Sequence, residues 1–597
     1  MPATNLPPTR SVNVSDYTPY IANPDGVDGS IHSNDPSATN NNTLGTGASV
    51  KLFNIALTTA GRFSFYIDYS ELATTGTHTF YVQRTHGTVG AVSVDYATSG
   101  DAHTTTSGTL SWADGQAGIQ SFEVVVPTKA DAGDHRIVAT LSNASGGAVL
   151  HHGAKTIAYG VIDDGTIASD ADAVFYDSAA TGGTGTQADP YGSIYTAIAN
   201  VGAKRYLYLR GTMTPDTTNT VNPNGGGGII RVVTLPNGRT SESNRLYIQN
   251  WPGSTFTLDG LTGTDVAGFY KNGNGSYITF KGLDFRNLNT TFDLFTECFG
   301  IGYFITANTD VNVEYCSFDN LDGGSNTAGF VANYITGLKM WRNTSNNTKF
   351  RGSNTNGNAS GLCQYYGCAN TSYMRNTVTL CGISIFAKRP VATDISPNVS
   401  FNILKGVVGL QLSFASANQG ANYLIVNGNL FKDNTIYYGY QCAGSNPDVT
   451  AKNWIANNVF DNCGGGDNGA IYLKDSYDYQ IFNNIMYNCR KVWDVPETVA
   501  LQSNTAKNLI DYADFNQEFG TTAPGAMYEY LSLTYADASL LNAAVPRLAA
   551  NDTSGDPLFT NPALDDYTLQ VGSSAIATGV NATDKGIYLT GNEVVGA

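Results

Sequence analysis

The sequence predicts an all-β protein in which a β-sandwich precedes a long solenoid. Short alternating apolar runs between residues 49 and 165, separated by Gly- and Asp-containing turns, are typical of a sandwich. Further along, an Asn flanked by apolar residues recurs at intervals of 26, 27, 29 and 26 residues, at Asn376, Asn402, Asn429, Asn458 and Asn484. A repeat of this period in β-prone sequence indicates one solenoid coil per repeat.

Size and charge narrow the function classes. A chain of 597 residues is too long for one compact core, unless the core grows by stacking coils. The net charge of −17 argues against general binding of nucleic acid or anionic membranes, which needs clustered Lys and Arg. No run of about 18 apolar residues is present, so we expect no membrane span.

Residues 1–48 are rich in Pro, Asn, Thr, Ser, Asp and Gly and have no apolar periodicity. They predict an extended arm that becomes ordered by docking on another protein. The first eight residues lack the charged start and apolar run of a signal peptide. We therefore expect export by another route, such as release within a virion, or a signal that has been removed.

Residues 49–165 resemble a Calx-beta domain. Segments that agree in order carry the resemblance: 81–84, 90–98, 108–115, 141–148 and 162–165. Members of this family often bind calcium through acidic clusters. Here Lys129 to His135 replaces the expected acidic pair, and Asp163 with Asp164 falls short of the six to eight oxygen ligands of Ca²⁺. We expect a spacer domain without a cofactor rather than a calcium switch.

Residues 166–597 resemble a right-handed, single-stranded parallel β-helix of the pectate-lyase type. The run Val174 to Ser178, a short helix from Ser193 to Asn200 and the strand Tyr206 to Thr212 resemble its N-terminal cap, over about 172–235. The segments 556–559, 566–569 and 573–576 resemble its closing segment, within about 505–597. The resemblance implies the fold but no single chemistry, because lyases, hydrolases, epimerases and non-catalytic binders share it.

Side chains at one position of successive coils stack, so we interpret the recurrent asparagines as a structural ladder without a catalytic role. Cys463 and Cys489 each follow a ladder Asn by five residues and therefore lie on neighbouring coils. Their predicted spacing permits a disulfide, but we favour a ladder of free thiols.

Basic residues between 339 and 405 suggest a site for an anionic polysaccharide, unless they are dispersed around the coils and merely solvated. They are Lys339, Arg342, Lys349, Arg351, Arg375, Lys388, Arg389 and Lys405, against the single acid Asp394. Some β-helix lyases use a Lys and an Arg for β-elimination from a uronic acid. The resemblance makes Lys388 and Arg389 the candidate catalytic pair, with Arg351 or Arg375 binding the carboxylate.

Glycoside hydrolysis instead needs two carboxylates, and Asp319 with Asp322 is the candidate pair. All seven histidines precede residue 153, which excludes His-based catalysis or metal ligation in the solenoid, and we expect no metal. Tyr365, Tyr366 and Tyr438 are candidate sugar-stacking residues, although half-buried strand packing would use tyrosines equally well.

The order of arm, sandwich and β-helix suits a virion-borne tailspike or fibre that binds, and in one version cleaves, a host surface polysaccharide. The arm would contact other virion proteins, and such spikes are commonly homotrimers. An exported polysaccharide lyase and a non-catalytic structural or adhesive surface protein are the alternatives. The expected location is the virion surface or the extracellular space.

Overall fold

The structure is a computed structural model that describes residues 60–586 with interruptions. The residues between these limits that it does not describe are 67–68, 73–74, 86–87, 101–102, 117, 128–134, 151–155, 163–164, 222–229, 261–264, 292–297, 305–306, 324–326, 354, 356–358, 389–396, 414–423, 436–437, 444–452, 467, 475–478, 496–509, 515, 521–526, 546–547, 577 and 579–584. The predicted arm (1–48) and the pair Asp163 and Asp164 therefore lie outside the described residues.

Residues 60–162, here called the N-terminal module, form two sheets. A four-stranded sheet has the order β6-β3-β1-β8, and a five-stranded sheet has the order β2-β9-β7-β4-β5. The strands are β1 (Arg62–Phe65), β2 (Tyr69–Leu72), β3 (Gly76–Thr85), β4 (Val92–Gly100), β5 (Ser107–Trp112), β6 (Gly118–Val126), β7 (His135–Ser142), β8 (Val149–Leu150) and β9 (Ile157–Ile162). Alternate residues of both sheets share one apolar cluster, as period-2 patterning requires.

The remainder, here called the coil region, is dominated by large parallel sheets, an arrangement compatible with a β-helix. One 23-stranded sheet contains two rows of strands, and we name the surfaces that they present face 1 and face 2. Face 1 comprises β10 (Ala173–Asp177), β11 (Tyr206–Met213), β14 (Leu246–Asn250), β17 (Ile278–Lys281), β22 (Val311–Glu314), β27 (Lys339–Trp341), β31 (Ser372–Met374), β34 (Asn398–Ser400), β37 (Ile425–Asn427), β40 (Asn453–Ala456), β43 (Tyr479–Phe482) and β46 (Ile510–Asp514).

Face 2 continues each coil after one sharp corner. Its strands are β15 (Phe256–Asp259), β18 (Leu283–Arg286), β23 (Ser317–Asp319), β28 (Thr344–Asn346), β32 (Thr377–Thr379), β35 (Ile403–Lys405), β38 (Leu430–Lys432), β41 (Val459–Asp461), β44 (Ile485–Tyr487), β47 (Gln517–Phe519) and β50 (Thr553–Ser554). The end of β11 also pairs with β15, so the two rows meet in the first coil.

Face 3 is a 16-stranded sheet that is mostly parallel. Its strands are β12 (Thr220–Val221), β13 (Ile230–Thr234), β16 (Val266–Asn272), β19 (Asn289–Thr290), β20 (Cys298–Phe304), β24 (Asp322–Gly323), β25 (Thr327–Asn333), β29 (Lys349–Phe350), β30 (Ala359–Tyr366), β33 (Ile383–Lys388), β36 (Val408–Ser413), β39 (Tyr440–Ala443), β42 (Ile471–Lys474), β45 (Trp493–Val495), β48 (Tyr528–Tyr530) and β49 (Leu533–Tyr535).

Small elements complete the coil region. Strand β21 (Asn308–Thr309) pairs with β26 (Ile335–Thr336), and β51 (Phe559–Asn561) pairs with β52 (Asp566–Leu569). Helix α1 (Ile194–Ala199) begins where the sequence predicts a helix, and the Ser193 side chain caps it by accepting from the Thr196 N–H at 3.4 Å. Helix α2 is Ala538–Ala544. Among the described helices, none is long and apolar enough to cross a membrane.

Stacked aromatic residues fill the core between face 2 and face 3. Phe285 stacks on Phe318 with ring centroids 5.5 Å apart, and Phe431 stacks on Phe460 at 4.6 Å. Glycines on face 3 make room for these rings, because a Cβ at Gly300 would lie 2.3 Å from the Phe318 ring. This complementarity of large and small residues packs the interior without displacing the sheets.

The recurrent asparagines form a continuous buried ladder at the corner between face 1 and face 2. It is longer than the five-member frame in the sequence, since its fully buried members are Asn343, Asn376, Asn402, Asn429, Asn458, Asn484 and Asn516. At each step the backbone N–H of one Asn donates to the side-chain oxygen of the next, over 2.9–3.2 Å. The last step ends on the Asp552 carboxylate at 2.8 Å.

The residue before each ladder position from Asn343 to Asn484 takes a left-handed backbone conformation. Arg342, Arg375, Phe401, Asn457 and Asn483 have φ between +52° and +60° at this point. Such a conformation costs a non-glycine residue about 1 kcal/mol or more, so the surrounding structure has to enforce it. The side-chain amides do so, because each also donates to a carbonyl of the preceding coil, as Asn429 does to Val399 at 2.8 Å.

The N-terminal module packs on face 1. Tyr159 and Val161 of β9 form an apolar cluster with Trp341, Met374 and Phe401, and the Tyr159 and Trp341 rings are 5.7 Å apart. These residues come from three successive coils, so the module rests on a continuous strip of the coil region rather than on one loop.

Buried charges complete this junction. Arg136 of β7 is 3% exposed and bonds the carboxylate of Glu314, which is 1% exposed. Tyr159 donates to Asp310 at 3.1 Å, and Asp310 also accepts from Arg245 at 2.5 Å. Burial alone would raise the pKa of Asp310, but Lys339 and Arg245 lower it well below its usual range. Three cations and three anions thus balance in the junction: Arg136, Arg245, Lys339, Glu242, Glu314 and Asp310.

The ladder predicts a strong effect of one amide. We expect Asn429→Ala to lower the free energy of unfolding by about 3 kcal/mol, because it leaves the buried Asn402 N–H without an acceptor. The midpoint of denaturant unfolding measures this loss. Asn346→Ala is the matched control, since Asn346 is an exposed asparagine of the coil region outside the ladder, and we expect a change within about 0.5 kcal/mol. Equal effects of the two substitutions would contradict the structural role of the ladder.

Candidate functional site

The basic residues singled out in the sequence are spread around the coils. Lys339 is buried in the junction with the N-terminal module, 3.7 Å from Asp310. Arg342 and Arg375 lie at the corner between face 1 and face 2. Lys405 lies on face 2, where it bonds Asp565 of the C-terminal segment. The described members therefore do not share one groove.

The described candidate lyase residues lie on different parts of the coil region. Lys388 ends β33 on face 3, and Arg389 lies outside the described residues. Arg351 is exposed beyond β29, with its guanidinium 5.2 Å from the centre of the Phe350 ring. Arg351 and Arg375 thus lie on different parts of the coil surface.

The candidate carboxylate pair is separated by a corner. Asp319 ends β23 on face 2 and accepts from the Asn346 amide at 2.8 Å. Asp322 begins β24 in the sheet of face 3 and accepts from the Gly352 N–H at 3.0 Å. Each carboxylate therefore has a structural partner within the coils.

The candidate tyrosines all belong to face 3 or its edge. Tyr365 and Tyr366 lie in β30, in register with Ala387 and Lys388 of β33. Tyr438 lies two residues before β39 and stacks on Tyr472 of β42, with ring centroids 4.3 Å apart. The structure thus brings Tyr438 together with a second tyrosine on a neighbouring coil.

A row of polar side chains continues from this tyrosine pair along face 3. Strand pairing places Tyr472 beside Asp494, and Asp494 beside Glu529. In-register residues of neighbouring strands lie about 4.8 Å apart and point to the same side of the sheet. Two carboxylates and an aromatic platform therefore share one surface.

A buried lysine holds one carboxylate of this row from the side. The buried Lys491 donates to Glu529 at 2.8 Å, and Glu529 is 19% exposed. Asp494 is 6% exposed. We call Tyr438, Tyr472, Lys491, Asp494 and Glu529 the face 3 site.

The site residues predicted from the sequence did not include Lys491, Asp494 or Glu529. The strands of face 3 follow the ladder asparagines at variable distances: Ile385 follows its Asn by 9 residues, Leu410 by 8, Tyr440 by 11, Ile471 by 13 and Trp493 by 9. The ladder register therefore does not extend to face 3. No signal in a single sequence aligns Asp494 with Glu529.

A second group of titratable side chains closes the interior at the C-terminal end. Glu518 of β47 is in register with the core residue Met486, and burial raises its pKa to about 7. Tyr528 hydrogen bonds Glu518 and also donates to Asp552 at 3.3 Å. Because Glu518 is 5% exposed and continues a column of core residues, we interpret this group as part of the end of the core.

The two stacked cysteines are free thiols. Cys463 and Cys489 are free and fully buried, and they donate to the carbonyls of Phe431 and Phe460 at 3.4 and 3.2 Å. Burial and the neighbouring Cys489 raise the pKa of Cys463 well above its ordinary value.

Within the described ranges, no group of three or more His, Cys, Asp or Glu side chains is placed to hold a metal ion.

Comparison with known proteins gives little for the coil region. No protein-family model matches the chain, and no curated protein matches it. Among solved structures, the chain is similar to the apo form of the Calx CBD1 domain, with 23% identity, 17% of this chain and 95% of that chain covered, and a TM-score of 0.16. It is also similar to the Calx CBD2 domain, with 16% identity, 18% and 88% coverage and a TM-score of 0.16. These neighbours are Calx-beta domains at low TM-score and small coverage.

The raised pKa of Glu518 predicts pH-dependent stability. A carboxyl whose folded pKa lies above its unfolded value binds its proton more tightly in the native state, so stability falls as the pH rises from about 4.5 to about 7. We expect Glu518→Gln to stabilise the protein at pH 8, by about 3 kcal/mol at most, and to have little effect at pH 4. Thermal unfolding at both pH values measures the difference. Exposed Glu123→Gln is the control, and equal effects of Glu518→Gln at both pH values would refute the linkage.

Proposed function

We propose that this protein binds a polysaccharide along face 3 and that the face 3 site is the centre of the binding surface. The observation that carries the proposal is the row in which stacked tyrosines adjoin two carboxylates on neighbouring strands. Aromatic rings with a polar edge stack on the apolar faces of sugars, and carboxylates accept hydrogen bonds from their hydroxyl groups. Successive coils repeat such contacts at an interval that suits an extended chain.

The architecture that we propose for this function is a Calx-beta-like sandwich joined to a right-handed, single-stranded parallel β-helix of the pectate-lyase type. Two sheets with one apolar core support the first part, and three faces of stacked strands support the second. The setting that we propose is a virion-borne tailspike or fibre, in which the N-terminal arm docks to the particle and the coil region meets the host surface. The order of the segments supports this setting.

Cleavage of the bound glycan is the second part of the proposal. Retaining glycoside hydrolysis uses two carboxyl groups about 5–5.5 Å apart, one as proton donor and the other as nucleophile. Asp494 and Glu529 are in register on adjacent parallel strands, which favours this separation over the wider spacing of inverting enzymes. The spread of the basic residues makes β-elimination from a uronic acid the weaker alternative.

Binding can be tested with the tyrosine platform. We expect Tyr472→Ala to weaken binding to a responsive polysaccharide about fivefold to tenfold, because it removes one ring of the stacked pair. A panel of neutral, amino-sugar and uronate-containing polysaccharides, titrated calorimetrically, identifies the ligand and measures the loss. Tyr81→Ala is the control, since Tyr81 is an exposed tyrosine of the N-terminal module. Unchanged affinity for Tyr472→Ala would place the binding surface elsewhere.

Two measurements test cleavage: the type of product formed and the rates of carboxylate variants. We expect reducing ends without unsaturated products, and a loss of about 10²- to 10⁴-fold in rate for Asp494→Asn and for Glu529→Gln. Asp319→Asn and Asp322→Asn are matched controls, because they remove carboxylates from an earlier coil, away from the face 3 site. Unsaturated products would indicate a lyase. Binding without any cleavage would leave a non-catalytic adhesive protein.

A further inference from the structure

The outward surface of face 2 changes character along the coil region. One column of in-register residues is polar in the earlier coils, with Thr257, Asp284, Ser317, Thr344 and Thr377. The same column then becomes apolar, with Ile403, Leu430, Val459 and Ile485. The apolar positions require a cover, because an exposed apolar row is unfavourable in water.

Residues 556–576, here called the strap, provide that cover. The strap contains the antiparallel pair β51 and β52, and its Phe559, Tyr567 and Ala575 form one apolar cluster with the row. The Phe559 ring is 5.4 Å from that of Tyr487 and 4.9 Å from that of Tyr567. Leu430, Val459 and Ile485 are at most 1% exposed as a result.

Charges fix the tip of the strap. Asp565 accepts from Lys432 at 2.9 Å and also bonds Lys405, so one carboxylate joins β35 and β38. Lys432 bonds the Pro562 carbonyl as well, and the Tyr567 hydroxyl donates to Asp461 of β41. The tip is therefore tied to three successive coils.

The other end of the strap is tied to the last coils. The Gln517 amide of β47 donates to the Ser574 hydroxyl at 2.7 Å and to the Gly555 carbonyl at 2.8 Å. Beyond the strap, Lys585 donates to Thr553 of β50 at 2.7 Å. The strap thus leaves the final coil, reaches back to β35 and returns.

We propose that the strap is an electrostatically locked latch that makes the coils from β35 to β47 open as one unit. In a stacked-coil protein each coil contacts its neighbours, so the terminal coils open first and independently. The strap adds contacts between coils that are not neighbours. Loss of the Asp565 bonds to Lys405 and Lys432 weakens the strap, and because its apolar contacts still join the coils, the free energy of opening falls by the same amount in all of them.

Hydrogen exchange followed by mass spectrometry tests the latch in the full chain. In Asp565→Asn we expect exchange to become about threefold to tenfold faster, by a common factor, in β35, β38, β41 and β44, with no change in β14 and β17. Asp284→Asn is the matched control, because Asp284 is a carboxylate of face 2 outside the strap, and it should leave the exchange of β35 to β44 unchanged.

Other patterns would overturn the latch. Faster exchange in the strap alone would reduce it to a passive cover. Exchange that rises stepwise from β50 toward β35, with a different factor for each coil, would show that the coils still open independently. A Tyr567→Phe variant keeps the ring but removes the bond to Asp461, and the latch requires it to accelerate the same four strands by a smaller common factor.

Discussion

The hydrogen-bonded stack of buried asparagines is the constraint on which the rest of the coil region depends. Each described coil turns a sharp corner between face 1 and face 2, and the residue before each ladder position from Asn343 to Asn484 is held in a left-handed conformation. An amide can satisfy this corner because its oxygen accepts from the backbone N–H of the preceding ladder asparagine, while its nitrogen donates to a carbonyl of the preceding coil. The ladder fixes where face 1 ends and face 2 begins, and through strand register it fixes what each face presents.

The sequence therefore predicted the part of the fold that the ladder controls. The all-β class, the parallel coils and the short helix after Ser193 follow from local pattern, since each depends on residues close together in the chain. The junction was not predictable, because Arg136 and Glu314 lie 178 residues apart and neither carries a signal of burial. Face 3 was not predictable because its strands begin at variable distances from the ladder.

The basic residues show that clustering along the sequence does not predict clustering in space. Their clustering in sequence suggested one groove, but a coil of about 26 residues passes all three faces, so neighbours in the sequence lie on different sides. Lys339 neutralises a buried carboxylate, Lys405 holds the strap, and Arg375 occupies a corner. The candidate site that remains is acidic and aromatic, and its members come from four successive coils that span 91 residues of the sequence, from Tyr438 to Glu529.

The Asp552 carboxylate determines where the stack of asparagine amides ends. A side-chain amide both donates and accepts hydrogen bonds, so a stack of asparagines can be continued by the asparagine of a further coil. Asp552 accepts from Asn516 but, when ionised, has no proton to offer onward. The stack of side-chain amides therefore ends at Asp552, because a further coil placed after it would meet no side-chain N–H donor in this column.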